Sequence, residues 1–220
     1  MKKHIVCFGD SNTHGYCADL TDSAEHTNRF NETERWTCLL QKALGDDYLV
    51  LEEGLGGRTT VFDQPEQPGL SGLDLIRPIL MTHEPVDLLV IMLGTNDTRA
   101  LLHISPKGIA LGLSRLVLWA KATPDVWRNG VPNILVIAPP HILPAMERHD
   151  SAYECMGDGC VEKSQALAQH FEMRCRDLGC AFLDAQGIAE FNPVDGMHLT
   201  CRSHAALARK LTALIPTLLP

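Results

Sequence analysis

The chain has 220 residues, 45% of them hydrophobic and 21% charged, enough for a sizeable core and ordinary for a soluble globular protein. Its net charge of −8 (19 basic against 27 acidic residues) comes without a Lys/Arg-rich run, which argues against nucleic acid or an anionic membrane as partner. No apolar stretch approaches the roughly 20 residues that span a bilayer. The run after Met1-Lys2-Lys3-His4 ends at Gly9-Asp10, short of a signal-peptide core of about 7–15 residues. A cytoplasmic protein of one domain over residues 1–220 is therefore expected.

In chain order, the first predicted strand covers residues 5–8 and breaks into Gly9-Asp10-Ser11. A polar, charged segment over 19–35 fits no regular element. A helix over 36–44 stops at Gly45, and a strand over 48–51 runs towards Leu55-Gly56-Gly57-Arg58-Thr59. Residues 71–81 read as a helix with Leu73, Leu75, Ile76, Ile79 and Leu80. The apolar run 87–93 leads into Gly94-Thr95-Asn96-Asp97, and 106–122 carries Ile109, Leu113, Leu116 and Val117 at helical spacing. A strand over 133–138 enters a second irregular segment, 139–158, which begins Pro139-Pro140. A helix over 159–178, a strand over 181–183, Asp195-Gly196-Met197-His198 and a helix over 203–214 complete the chain. The continuous rather than alternating runs 87–93 and 133–138 suit strands covered on both faces. Strands alternating with helices imply right-handed parallel crossovers. The expected fold is α/β, a three-layer αβα sandwich on a five-stranded parallel sheet in the flavodoxin-like order 2-1-3-4-5. The two irregular segments are longer than connections usually run and are expected to wall a pocket or to meet another copy of the chain. For His141, Met146 and His149 in the second of them, contact with substrate and contact with a neighbouring subunit both stay open.

A serine hydroxyl is a weak nucleophile alone and needs a base, a group that orients the base, and donors for an oxyanion. Ser11 follows the first strand, and its own N–H can point into the turn. Gly57 follows the second strand and permits close backbone approach. Asn96 follows the third and offers a neutral side-chain donor. His198 with Asp195 follows the fifth, where a carboxylate can fix the imidazole tautomer. Each piece has a bland reading: a Gly-Asp-Ser turn, a Gly-Gly loop, a helix cap at Gly-Thr-Asn-Asp, one histidine near an aspartate. Their convergence after strand ends, on one edge of the sheet, is what points to acyl transfer. Asp10, Asn12, His14 and Asp97 lie beside these groups and are expected to line the pocket or hold its turns, Asp97 by a hydrogen bond that positions the third turn, with a catalytic role as the weaker alternative. His14 reads either as a solvated loop residue or as a polar residue at the pocket entrance. Trp36, Phe62 and Trp127 read as packing residues. Cys155-x4-Cys160 and Cys175-x4-Cys180 suggest a metal site only superficially, since structural zinc knuckles are tighter; reduced thiols are expected, with no metal and no cofactor.

These residues resemble the SGNH (GDSL-type) hydrolases. Gly9-Asp10-Ser11 matches the first block, Gly57 the glycine of the second, Gly94-Thr95-Asn96-Asp97 the third, and Asp195-Gly196-Met197-His198 the last. The chain looks closest to the arylesterase and acyltransferase branch through Glu53-Gly54-Leu55, Arg58-Thr59-Thr60 and Ile91 to Thr98. It departs at Asn12, where the family name has leucine, and at His14, where this branch often has tryptophan. The resemblance implies Ser11 as nucleophile, His198 as base, Asp195 as its orienting carboxylate, and Ser11, Gly57 and Asn96 as oxyanion donors. The expected activity is a serine esterase acting on small, acetyl-type esters, with an alcohol able to replace water as acyl acceptor. The alternatives are a carbohydrate O-acetyl esterase or a non-catalytic binder of a glycan or acyl ligand. A nucleotide-binding module is weaker, because the first turn lacks a Gly-rich cradle and a lysine.

Overall fold

Five apolar runs become five parallel strands because each has a hydrophobic layer on both sides. The computed structural model describes residues 1–64 and 66–219. In chain order the elements are β1 (Lys3–Gly9), α1 (Ser11–His14), α2 (Trp36–Leu44), β2 (Tyr48–Gly54), α3 (Gly72–Thr82), β3 (Leu88–Met92), α4 (Pro106–Lys121), β4 (Ile134–Ala138), α5 (Asp150–Met156), α6 (Cys160–Leu178), β5 (Ala181–Asp184) and α7 (Cys201–Leu218). The sheet order is β2-β1-β3-β4-β5, with every neighbouring pair parallel, as the sequence predicts.

Successive β1 side chains point to opposite faces. Ile5 and Cys7 pack with Trp36, Leu40, Leu207 and Leu211 from α2 and α7. Val6 and Phe8 pack with Ile76, Ile109, Leu116 and Phe171 from α3, α4 and α6. All four β1 side chains are fully buried, each of the larger ones contributing about 1.5–3 kcal/mol by leaving water.

Strand and helix ends differ from expectation where polar residues find partners. β2 runs past Leu51 to Gly54 because Glu52 is paired with Arg35 at 2.8 Å and Glu53 with His83 at 2.6 Å. α7 begins earlier, at Cys201, since the Thr200 hydroxyl caps it by accepting the Ser203 N–H at 3.0 Å. It also continues through Pro216, held by fully buried Ile215 and by the Asn133 amide, which donates to the Leu218 carbonyl at 2.9 Å.

The carboxyl ends of β1, β2 and β3 are level, with Gly9 opposite Gly54 and Met92. The short helix α1 folds back over this edge. A Cβ on Gly54 would stand 2.1 Å from the His14 nitrogen, so only glycine lets α1 lie there.

Both long segments close onto this edge. In 19–35, the Arg29 side chain donates to the His14 carbonyl at 2.9 Å, and the Asp22 carboxylate accepts the Cys201 N–H at 2.7 Å. In 139–158, the Leu143 N–H donates to the Gly196 carbonyl at 2.9 Å and the Ile142 N–H to the Ser164 hydroxyl at 2.9 Å. Met146 is fully buried, and His149 accepts the Ala152 N–H to cap α5. Met146 is thus part of the core, while His149 is half-buried with one ring nitrogen committed to this cap. Cys160 and Cys175 stand near opposite ends of α6, about 22 Å apart along a helix rising 1.5 Å per residue, too far to share one metal. Among the described residues, no helix is long and apolar enough to cross a membrane.

Candidate active site

Residues from opposite ends of the chain meet above β1. The Ser11 hydroxyl lies 2.8 Å from His198 Nε2, and His198 Nδ1 lies 2.5 Å from Asp195 Oδ2. The carboxylate can only accept, so Nδ1 carries the proton, and the neutral ring then accepts the Ser11 O–H at Nε2. Ser11 is the first residue of α1, with Asp10 capping the helix by accepting the Asn12 N–H at 2.9 Å. Asp195 and His198 come from the connection between β5 and α7. The glycine between them has φ +72°, and a Cβ there would stand 2.7 Å from the Met146 nitrogen. Segment 139–158 thus packs against the turn that carries the histidine.

The Asp195 carboxylate is fully engaged. Besides His198, it accepts the N–H groups of Met197 (3.1 Å) and His198 (3.2 Å) and the Asn192 amide (3.2 Å). Burial disfavours its charge, but the hydrogen bond and charge of His198 and these N–H donors outweigh it, holding its pKa below the ordinary 3.8. Asp195 therefore stays ionised wherever the neutral imidazole is available to take a proton.

Gly56 adjoins the serine, a Cβ on it falling 4.0 Å from the Ser11 Cβ, and Gly57 follows it with φ +81°. Among the described residues, neither the Ser11 nor the Gly57 N–H has a hydrogen-bond acceptor. The Asn96 amide donates to the Arg58 carbonyl at 3.1 Å and faces Asp10 Oδ2 at a long 3.5 Å. One of its two N–H groups is thus weakly committed. Serine, imidazole, carboxylate and three donors are the parts acyl transfer requires.

Asp97 is fully buried. Its carboxylate accepts the Thr60 N–H at 2.9 Å and the Thr60 hydroxyl at 2.5 Å, tying the turn after β3 to the segment that follows Gly57 and Arg58. Burial pushes its pKa up to about 6, against the Thr60 hydrogen bonds and with some repulsion from Asp10. Asp10 is likewise pushed up to about 6, mainly by burial, with the Asn12 N–H, His198 and Arg58 opposing. A folded pKa above the unfolded one means that the stabilising contribution is full below about pH 4 and lost as pH rises through about 6. Asp97→Asn does not titrate there. Its urea midpoint should gain on the wild type between pH 4 and pH 8; a difference constant across that range would contradict this.

Four neighbours carried no sequence signal or only a weak one. The Tyr16 ring lies tilted against that of His198, the ring centres 4.4 Å apart. Asn192 donates to both Asp195 and the His198 carbonyl, while its own oxygen accepts the Val194 and Asp195 N–H groups; the Asn192-Pro193 pair, a turn signal, could have marked it. Arg58 is buried over the Phe8 ring at 4.1 Å and donates to the Gly9 carbonyl at 2.8 Å. Arg99 is buried beside Gln64, to which it donates, and its guanidinium lies 3.4 Å from Asn96 Oδ1. His14 ends α1, half-buried near Arg29, Arg35 and Glu52. Burial first, then the two arginines, lower its pKa against Glu52. It is partly exposed at the end of this short helix, and among the described residues no side-chain hydrogen bond joins it to Ser11, Asn96 or His198.

The profile of the GDSL-like lipase/acylhydrolase family matches residues 7–206. No curated protein matches the chain. Among solved structures, the chain is similar to the native M. smegmatis aryl esterase, with 36% identity over 99% of this chain and 100% of that one at a TM-score of 0.88. It is similar to Est24, a carbohydrate acetylesterase from Sinorhizobium meliloti, with 32% identity over 99% of this chain and 100% of that one at a TM-score of 0.87. A carbohydrate acetylesterase family member from Sinorhizobium meliloti shares 34% identity over 98% of each chain at a TM-score of 0.87.

Proposed function

The chain belongs to the GDSL-like lipase/acylhydrolase family and is a carboxylic ester hydrolase, and from that premise we propose a serine mechanism on small, acetyl-type esters. The observation that carries it is the unbroken line from Ser11 through His198 to Asp195, at 2.8 and 2.5 Å. His198 takes the Ser11 proton as the oxygen attacks the ester carbonyl. The N–H groups of Ser11 and Gly57 and the Asn96 amide hold the oxyanion. Collapse expels the alcohol, which takes its proton from the imidazolium and leaves an acyl-enzyme. Water, or a second alcohol, then attacks with His198 again as base. Asp10, Asn12 and Asp97 hold these turns in place.

Likeness to an aryl esterase and to carbohydrate acetylesterases supports an acetyl-sized acyl group and keeps carbohydrate O-acetyl esters as the second reading. A panel of p-nitrophenyl esters of increasing chain length and of acetylated sugars, each with and without added alcohol, separates them. We expect kcat/KM to fall steeply beyond acetyl, with alcohol diverting product from acid to ester. A rate that rises with chain length would overturn the small acyl pocket. Deacetylation of sugars faster than of aryl acetates would favour the second reading. The proposal also retains a cytoplasmic setting and self-association of the chain; native mass spectrometry reads the latter directly.

A further inference from the structure

Asn12 stands where the family name has leucine, and every polar group it owns is used. Its N–H donates to Asp10 Oδ1 at 2.9 Å and its carbonyl accepts the Trp36 indole N–H at 3.1 Å. Its side-chain amide reaches across 185 residues of sequence: Nδ2 donates to the Met197 carbonyl at 3.1 Å, and Oδ1 accepts the Leu199 N–H at 2.9 Å. The amide thus grips the backbone on both sides of His198, while its own backbone follows directly on Ser11. The side chain is 2% exposed. A carbonyl on one side and an N–H on the other leave only one orientation in which both amide atoms are satisfied.

We propose that Asn12 is a positioning residue that pins the turn carrying His198 to the turn carrying Ser11, so that Nε2 stays in line with the hydroxyl. The two turns arise from opposite ends of the chain, and the Ser11–His198 hydrogen bond alone must break in every catalytic cycle. A pin that does not take part in the chemistry preserves the alignment while the proton moves. Leucine has neither donor nor acceptor, so at this place it would leave the Met197 carbonyl and the Leu199 N–H without these partners. The leucine-to-asparagine change is then a gain of a fixed link between nucleophile and base, with no claim on the acyl pocket.

This rests on the reading of Ser11 and His198 as nucleophile and base, and the test separates the two. Asn12→Leu, with p-nitrophenyl acetate as substrate, should lower kcat about ten- to hundredfold, the scale of a small misalignment at a reacting centre. KM and the preference along the ester chain-length series should not change. Placed on a His198→Ala background, Asn12→Leu should cost no further rate, because the group it positions is gone. If leucine unsettles the fold, Asn12→Ala deletes the same two bonds in less space, and both readouts apply to it equally. Near wild-type kcat in a folded variant overturns the proposal, as does a loss confined to KM, or an undiminished further loss on the His198→Ala background. Wild-type activity in His198→Ala itself would instead overturn the reading of the base.

Discussion

Ser11→Ala is expected to lower kcat by about 10⁴- to 10⁶-fold with the fold intact, as removal of a nucleophile does where no other group can replace it. Among the described residues the Ser11 hydroxyl is the only hydrogen-bond partner of His198 Nε2, so no second nucleophile is held against the imidazole. Alanine keeps the backbone N–H at the start of α1, and the Gly57 and Asn96 donors are untouched, so a residual rate above that in water should survive. The helix cap from Asp10 is made to the Asn12 N–H and does not involve the lost hydroxyl. The melting temperature should therefore stay near that of the wild type. Adding His198→Ala to Ser11→Ala should cost nothing further, because a base without a nucleophile contributes nothing. Turnover within tenfold of the wild type in Ser11→Ala would contradict the account.

Asp195→Asn should cost about 10⁴-fold in kcat, the scale found when the carboxylate behind a catalytic imidazole becomes an amide. The physical reason lies in proton inventory. The carboxylate accepts from His198 Nδ1 at 2.5 Å, which fixes the proton on Nδ1 and frees Nε2 to accept from Ser11. An amide can present its NH2 group instead, which favours the tautomer protonated at Nε2, unable to take a proton from serine. The carboxylate also neutralises the imidazolium as it forms, in a site where Asp195 is 4% exposed and water screens little. Ground-state binding does not use this charge, so KM should move far less than kcat. Equal kcat values for the variant and the wild type would remove Asp195 from the relay.

Strands were legible where burial on both faces left a continuous apolar run, as at Val90-Ile91-Met92 and Leu135-Val136-Ile137. They were less so at the sheet edge, where Glu52 and Glu53 continue β2 through partners, Arg35 and His83, far off in sequence. The four-residue helix α1 has no apolar periodicity to announce it; only the Asp10 cap and the left-handed Gly15 mark its ends. At the site, Ser11, Gly57, Asn96, Asp97, Asp195 and His198 could be picked out because each follows a strand that could itself be read. Tyr16 and Arg99 could not, since a ring beside His198 or a cation beside Asn96 depends on packing between distant segments. Asn12 was visible as a departure from a motif. That its amide would meet the backbone on both sides of His198 depends on a contact between residues 12 and 197–199, which no local pattern encodes.

The acyl group is expected to pass through Ser11, and the acyl-enzyme can be weighed. Mixing the enzyme with p-nitrophenyl acetate, quenching in acid during the burst and measuring the intact mass should reveal one added acetyl group. Fragmentation should place it on the peptide that carries Ser11, and Ser11→Ala should show none. An acetyl group on another residue, or full esterase activity in an enzyme that never acquires one at Ser11, would contradict the account.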